Sequence, residues 1–148
     1  MDGFVAAVSV LVVREGKVLA MRRAAHKVGA GLWETVSGRI DRGEDPIDAA
    51  RREAREETGL DVVLEERPID AYAARRGEAP MIVIVYRASW IAGEVERSDE
   101  HDDHAWWDAR EFRAHSTLTR LADAIDRALS DATSSDATSS DATSSDAG

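Results

Sequence analysis

Glu53, Glu56 and Glu57 lie three and four residues apart in one short segment. If that segment is a helix, residues at these spacings are surface neighbours, so Glu53 faces both of the others across one turn. Each like-charge contact of this kind costs roughly 0.2–0.5 kcal/mol in an isolated helix. Glu56 and Glu57 would also sit in the last turn, where the backbone dipole disfavours anions. Selection for helix stability alone avoids such an arrangement, whereas a cation site uses it. Oxygen-only donors suit hard cations, and Mg2+ is commonly held by one or two carboxylates together with water and substrate phosphates. The competing reading is a solvated face on which Arg51, Arg52 and Arg55 pair with the glutamates.

The elements that must position these carboxylates are well marked. Asp45 is a candidate N-cap, Pro46 occupies the first helical position and Gly59 follows the end, which predicts a helix over Pro46 to Thr58. Ile47, Ala50, Ala54 and Thr58 form an apolar stripe beside the charged face. Upstream, Phe4 to Val13 and Val18 to Arg23 read as strands around a turn, followed by a loop over Ala24 to Leu32 and a short strand over Trp33 to Val36. Downstream, strands are expected over Leu60 to Glu65, Ile69 to Ala74, Met81 to Ala88 and His104 to Trp107, with a closing amphipathic helix over Leu118 to Leu129. The expected architecture is α/β, a mixed sheet sandwiched between two helices.

The pattern Gly38, five residues, Glu44, seven residues, then Arg52-Glu53-Ala54-Arg55-Glu56-Glu57-Thr58-Gly59-Leu60 resembles the signature of the Nudix hydrolases, enzymes acting on nucleoside diphosphates linked to another group. Every charged and glycine position matches, and Ala54 stands where the family carries a larger aliphatic residue. The resemblance implies a Nudix-like α/β/α sandwich and Mg2+-dependent hydrolysis of a phosphoanhydride, with Mn2+ able to substitute. It implies that Glu56 and Glu57 are the main metal ligands and that Glu53 is a further ligand or the base that deprotonates the attacking water. Glu44 and Arg52 would hold the loop onto the helix, Gly59 would end it, and a backbone carbonyl near Ser37 and Gly38 would be an extra ligand.

Other segments match the family more loosely. Glu100, within Ser98-Asp99-Glu100-His101, is a candidate additional ligand or alternative base, set against a solvated loop acid. His101 and His104 are candidates for phosphate binding or proton transfer, set against structural roles. Alternation sends Arg22 and Arg23 to opposite faces, so at most one points into the site. The family often has a phosphate-binding arginine here, which selects Arg23, with Arg39 in the signature loop as a second candidate. Trp33, Trp90, Trp106 and Trp107 offer stacking surfaces for a base, and Trp33 is the substrate-binding candidate among them. Trp106 and Trp107 would face opposite ways on a strand, one packing and one free.

At 148 residues and 43% hydrophobic, the chain fits one domain. We assign that domain to residues 1–130. Residues 131–148 form a repeat of Ser, Asp, Ala and Thr, a composition expected to be disordered. The net charge is -10, of which four charges are the aspartates of that tail, so the domain itself is acidic. Such a balance disfavours nucleic-acid polymers and anionic membranes as partners and leaves a small nucleotide. No apolar run suits a membrane span, the start lacks a basic signal-peptide region, and a cytoplasmic setting is expected. Cysteine is absent, which removes a thiol nucleophile and argues against the isopentenyl diphosphate isomerases that share the fold. Asparagine and glutamine are absent too, so no side-chain amide can read a base edge.

Compact size and Leu32-Trp33-Glu34 leading into the loop look most like the branch hydrolysing nucleoside triphosphates, oxidised ones included, to a monophosphate and pyrophosphate. ADP-ribose, another nucleotide sugar or a dinucleoside polyphosphate is the alternative substrate. The alternative of another class is a non-catalytic nucleotide sensor or interaction module, in which a complete carboxylate set would be idle. Relatives are often dimeric, so a homodimer is a further expectation.

Overall fold

The computed structural model describes residues 3–130, and the repeat tail lies outside them. Eight strands form one mixed sheet: β1 (Val5–Arg14), β2 (Lys17–Arg23), β3 (Trp33–Glu34), β4 (Val36–Arg39), β5 (Asp61–Leu64), β6 (Asp70–Arg76), β7 (Ala79–Ala92) and β8 (His101–Trp107). Helix α1 (Pro46–Thr58) follows β4, α2 (Ala109–His115) follows β8, and a third helix, α3, covers residues 119–130. β1 runs parallel to β7 through nine consecutive partners, and the other pairings are antiparallel.

Alternation along β1 explains the layering. Val8, Val10 and Val12 point to a core shared with Leu19, Met21, Val36 and the α1 residues Ala49, Ala50 and Ala54. Leu11 and Val13 point the other way, to a core of Val83, Val85, Phe112, Leu121, Ala124, Ile125 and Ala128 beneath α2 and α3. A sheet covered on both faces suits the long apolar run of β7.

Three differences from the sequence reading stand out. Among the described residues there are three helices rather than two, because Asp108 accepts from the Glu111 N–H while Glu111 reaches back to the Asp108 N–H, a capping box that starts α2. Asp45 does occupy the N-cap of α1 but makes no side-chain cap bond. Strand β4 carries pairing on into the signature, with Ser37 and Gly38 opposite Ser9 and Val8. Gly59 closes α1 at φ 69, and its N–H bonds the Arg55 carbonyl.

Candidate active site

The loop from Asp41 to Asp45 is fastened to α1 by Arg52. Its guanidinium donates to both Glu44 oxygens at 3.0 and 2.9 Å, to the Arg39 carbonyl at 3.0 Å and to Glu53 Oε1 at 2.7 Å. Glu44 also accepts the Asp41 N–H, and these bonds, Arg52 first, hold its carboxyl down at about 2. The bidentate fork suits arginine's planar geometry and fixes the loop against the first face of the helix.

That fastening brings α1 against β4. A Cβ at Gly38 would overlap the Glu53 carboxyl group, so only glycine lets the strand pass this close to the acid. Next to it, the Ser37 N–H donates to Glu57 Oε2 at 3.0 Å. Glu100, in the turn preceding β8, completes the group. Ligand atoms of Glu53, Glu57 and Glu100 lie within 4.8 Å of one another. Glu53 and Glu57 are buried and Glu100 is partly buried, with Lys27 Nζ at 3.4 Å from its Oε1.

The electrostatics of this group show a deficit of positive charge. Burial, reinforced by Glu53, Glu34 and Glu100, pushes the Glu57 carboxyl up to about 10 against the opposing Ser37 hydrogen bond. Burial raises Glu53 as well, with Arg52 opposing and Glu56 and Glu100 adding to it. A divalent cation would relieve both, and an all-oxygen donor set fits Mg2+ or Mn2+.

Glu56 sits differently. It is exposed on the rim, 3.4 Å from Arg52, and stands outside the three-carboxylate group. A helix advances by about 100° per residue, so Glu57 follows Glu53 onto the inward face while Glu56 turns away from it.

The carboxylates form one wall of a cleft of about 490 Å³. Arg23 and Arg39 line it, and Arg22 turns away to pair with Asp102 at 2.7 Å. The opposite wall is apolar, built from Tyr72, Ala74, Met81, Val83, Leu118 and Leu121. Trp33 is not part of it. Its ring packs 4.5 Å from Trp107, which stacks in turn on His115 at 4.3 Å, and the Trp33 carbonyl accepts from Ser116. Trp106 and Trp107 do point to opposite faces, but each packs on a core and neither is free. Trp90 is capped by Arg14 at 3.9 Å. The cleft's aromatic ring is therefore Tyr72.

Two further residues of the site were missed in sequence. Tyr72 was hidden in an alanine-rich strand whose partner in the cleft, α3, is distant in the chain. Glu34 is buried and accepts from Arg23 Nη1 at 3.1 Å, from Ser37 Oγ at 3.4 Å and from His101 Nε2 at 2.8 Å. Its available signal was an acid inside the apolar-flanked segment Trp33-Glu34-Thr35-Val36. His104, by contrast, lies partly buried beside Arg97 at 2.6 Å; burial first, then that charge, holds its pKa down.

The model of the NUDIX domain matches residues 3–129. The chain belongs to the Nudix family. It is 31% identical over 128 residues to a MutT-like protein of Streptomyces ambofaciens, covering 84% of this chain and 78% of that one. Over 93 residues it is 38% identical to the oxidized purine nucleoside triphosphate hydrolase of Danio rerio, covering 62% and 58%. An octanoyltransferase of Myxococcus xanthus is 32% identical over 130 residues, 82% of this chain, and the chain spans 36% of that relative's length. Among solved structures, a MutT protein from Methanosarcina mazei Go1 matches with a TM-score of 0.75 at 25% identity, covering 85% of this chain and 93% of that one. The mixed sheet between helices is thus the Nudix fold, and the chain is a Nudix pyrophosphohydrolase. Among the described residues no helix is long and apolar enough to cross a membrane.

Proposed function

We propose that this Nudix domain hydrolyses a nucleoside triphosphate, ordinary or oxidised, to the monophosphate and pyrophosphate, with Mg2+ held by Glu53, Glu57 and Glu100. The observation that carries this reading is the convergence of those carboxylates on one wall of a cleft whose other wall is apolar and holds a single aromatic ring. When bound, the metal supplies charge neutralisation at the phosphates and lowers the pKa of water. Ser37 and Gly38 line the same cleft, and a backbone carbonyl of one of them is proposed as a further ligand. Glu56 is assigned an outer role on the rim.

The remaining steps belong to the chain's own side chains. Arg23, braced by Glu34 and by the Val28 carbonyl at 2.7 Å, is pre-set to take a phosphate oxygen, and Arg39 and Lys27 add positive charge along the same wall. Glu53 or Glu100 accepts the proton of the attacking water. Tyr72 stacks on the base without reading its identity. Base edges are met by backbone groups and by Ser, Asp, Glu or Arg, since the chain has no side-chain amide.

The choice of a triphosphate is supported by the named activity of the Danio rerio relative. Arg75 and Arg76 at the lip of the cleft favour a second reading, in which a longer substrate such as ADP-ribose, another nucleotide sugar or a dinucleoside polyphosphate reaches past Tyr72. The test is product release from a panel of nucleoside triphosphates, 8-oxo-dGTP, ADP-ribose and diadenosine polyphosphates, each with Mg2+ and with chelator. Mg2+-dependent pyrophosphate release from triphosphates supports the first reading, and preference for ADP-ribose or a dinucleoside polyphosphate selects the second. Nucleotide binding with no turnover on any substrate would sink both and leave a sensor.

A further inference from the structure

His101 is not used by the reaction as described, yet its ring is almost completely enclosed, with a side chain 1% exposed. One edge is committed. Nε2 lies 2.8 Å from Glu34 Oε2, an acceptor-only carboxylate oxygen when ionised, so Nε2 carries a hydrogen and donates it. The other edge is not. Nδ1 is a buried polar side-chain atom with no hydrogen-bond partner among the described residues, and the nearest carboxylate oxygen is Glu57 Oε1 at 3.6 Å.

An orphaned buried nitrogen is costly and calls for an explanation. Here the explanation lies in what faces it. Glu57 is fixed through one oxygen only, by the Ser37 N–H. Its other oxygen points at Nδ1 from 3.6 Å, and a shift of about half an ångström would bring the two within hydrogen-bond distance; two bare acceptors would repel there, so the ring holds an ionised Glu57 by donating from Nδ1 as well as from Nε2. Glu34, which locks the ring, also holds Arg23. One buried acid therefore anchors a cationic side chain of the cleft directly and faces a cluster carboxylate through an imidazole.

We infer that His101 is a positioning residue, held by Glu34 and presenting Nδ1 to Glu57 so that this carboxylate is set for the metal. This rests on the proposed metal role of Glu57. Ligating carboxylates are themselves commonly held by a second hydrogen bond, and loss of such a partner typically lowers metal affinity about 10- to 100-fold.

The test is Mn2+ binding to the substrate-free protein, followed by electron paramagnetic resonance, together with melting temperature. His101→Gln can still reach Glu34 but offers nothing at the Nδ1 place, and it should weaken Mn2+ binding about tenfold. His101→Asn places a polar atom near Nδ1 and should recover part of that loss. Glu57→Gln is the control that separates the two claims. If Glu57→Gln abolishes Mn2+ binding while both His101 variants bind as the parent does and only melt lower, His101 merely fills space and the inference fails alone. If Glu57→Gln binds Mn2+ normally, the metal reading itself fails. Should His101→Gln not fold, the parent protein decides: Mg2+ addition should shift the 15N resonance of His101 Nδ1 well beyond that of His115, and an unmoved resonance overturns the inference.

Discussion

The two walls of the cleft are built by different kinds of contact. On the carboxylate wall nearly every polar atom is tied to a named partner: Arg52 to Glu44, Glu53 and the Arg39 carbonyl, Glu57 to Ser37, Glu34 to Arg23 and His101. The apolar wall has fewer such ties: Tyr72, Met81, Val83, Leu118 and Leu121 meet mainly through packing between β6, β7 and the region of α3, with the Arg120 guanidinium 4.8 Å from the Tyr72 ring centroid. A hydrogen-bonded wall is fixed to fractions of an ångström and tolerates little change, as transition-state chemistry requires. A packed wall accepts ligands of similar shape and sets affinity more than rate. Substitutions on the first wall should therefore act on kcat, and those on the second on KM.

The hardest blow to the first wall is Glu57→Gln, which preserves shape and removes a charged ligand. Turnover should fall by about 10²–10³-fold, the several kcal/mol expected of a lost metal interaction. The metal-free variant should melt no lower than the parent, since burial already disfavours the ionised carboxylate. Steady-state kinetics and a thermal melt check both. Near-normal turnover in a folded variant would remove Glu57 from the site.

Gly38→Ala comes next, because the new methyl would collide with the Glu53 carboxyl. Strand or acid must move, at a cost of about 1–3 kcal/mol in stability. With the carboxylate displaced, kcat should drop about tenfold or more while KM stays within a few-fold. An unchanged kcat would show that the tight approach of β4 to α1 is not what positions the acid.

Across the cleft, Tyr72→Ala should raise KM roughly tenfold, within the 1–3 kcal/mol of a lost base stack, and leave kcat nearly alone. Because stacking is indifferent to base identity, the loss should be similar for purine and pyrimidine substrates. A fall in kcat with KM unchanged would contradict the division of labour between the walls.

How much of each wall could be read from sequence follows the same division. The α1 boundaries and the inward Glu53 and Glu57 were legible because Pro46, Gly59 and the spacing of the glutamates are local facts. The clamp of Glu44 by Arg52 also lies within eight residues. Glu100 could be placed only through a looser resemblance, since it reaches the cluster from a distant turn. Tyr72 was not singled out and Trp33 was favoured although its ring lies outside the cleft, because which ring faces the cleft depends on what the far end of the chain covers. Here Ser116, Trp107 and His115 take up Trp33. Helix α2 did carry a local signal, the Asp108 and Glu111 capping box, but seven residues between a strand and a longer helix give little periodicity to read.

A smaller effect should follow from the charge stored on the carboxylate wall. In the metal-free protein Glu57 titrates at about 10 against an ordinary 4.5. Between these values the folded state binds more protons than the unfolded state, so stability falls as pH rises. Below about 4.5 this group's contribution is fully present. The metal-free melting temperature should therefore drop steadily between pH 5 and pH 9. Mg2+ should flatten the profile by holding the carboxylate ionised, and Glu57→Gln should flatten it without metal. A metal-free profile that rises over this range would mean that Glu57 is not the group in control.

The mildest substitution bears on the edge of the first wall. Glu56 is exposed and only 3.4 Å from Arg52, a surface pair of the kind worth under about 1 kcal/mol. Glu56→Gln should accordingly leave stability within about 0.5 kcal/mol. Its turnover should decline by no more than about tenfold, through weaker orientation of Arg52 and the lost rim charge. The signature alone ranks Glu56 with Glu57, whereas the helix turns one carboxylate outward and buries the other. Comparing the two Gln variants under saturating Mg2+ measures that difference. Equal losses would mean that Glu56 swings inward when the metal binds, and unequal losses would assign the inner coordination to the buried acids.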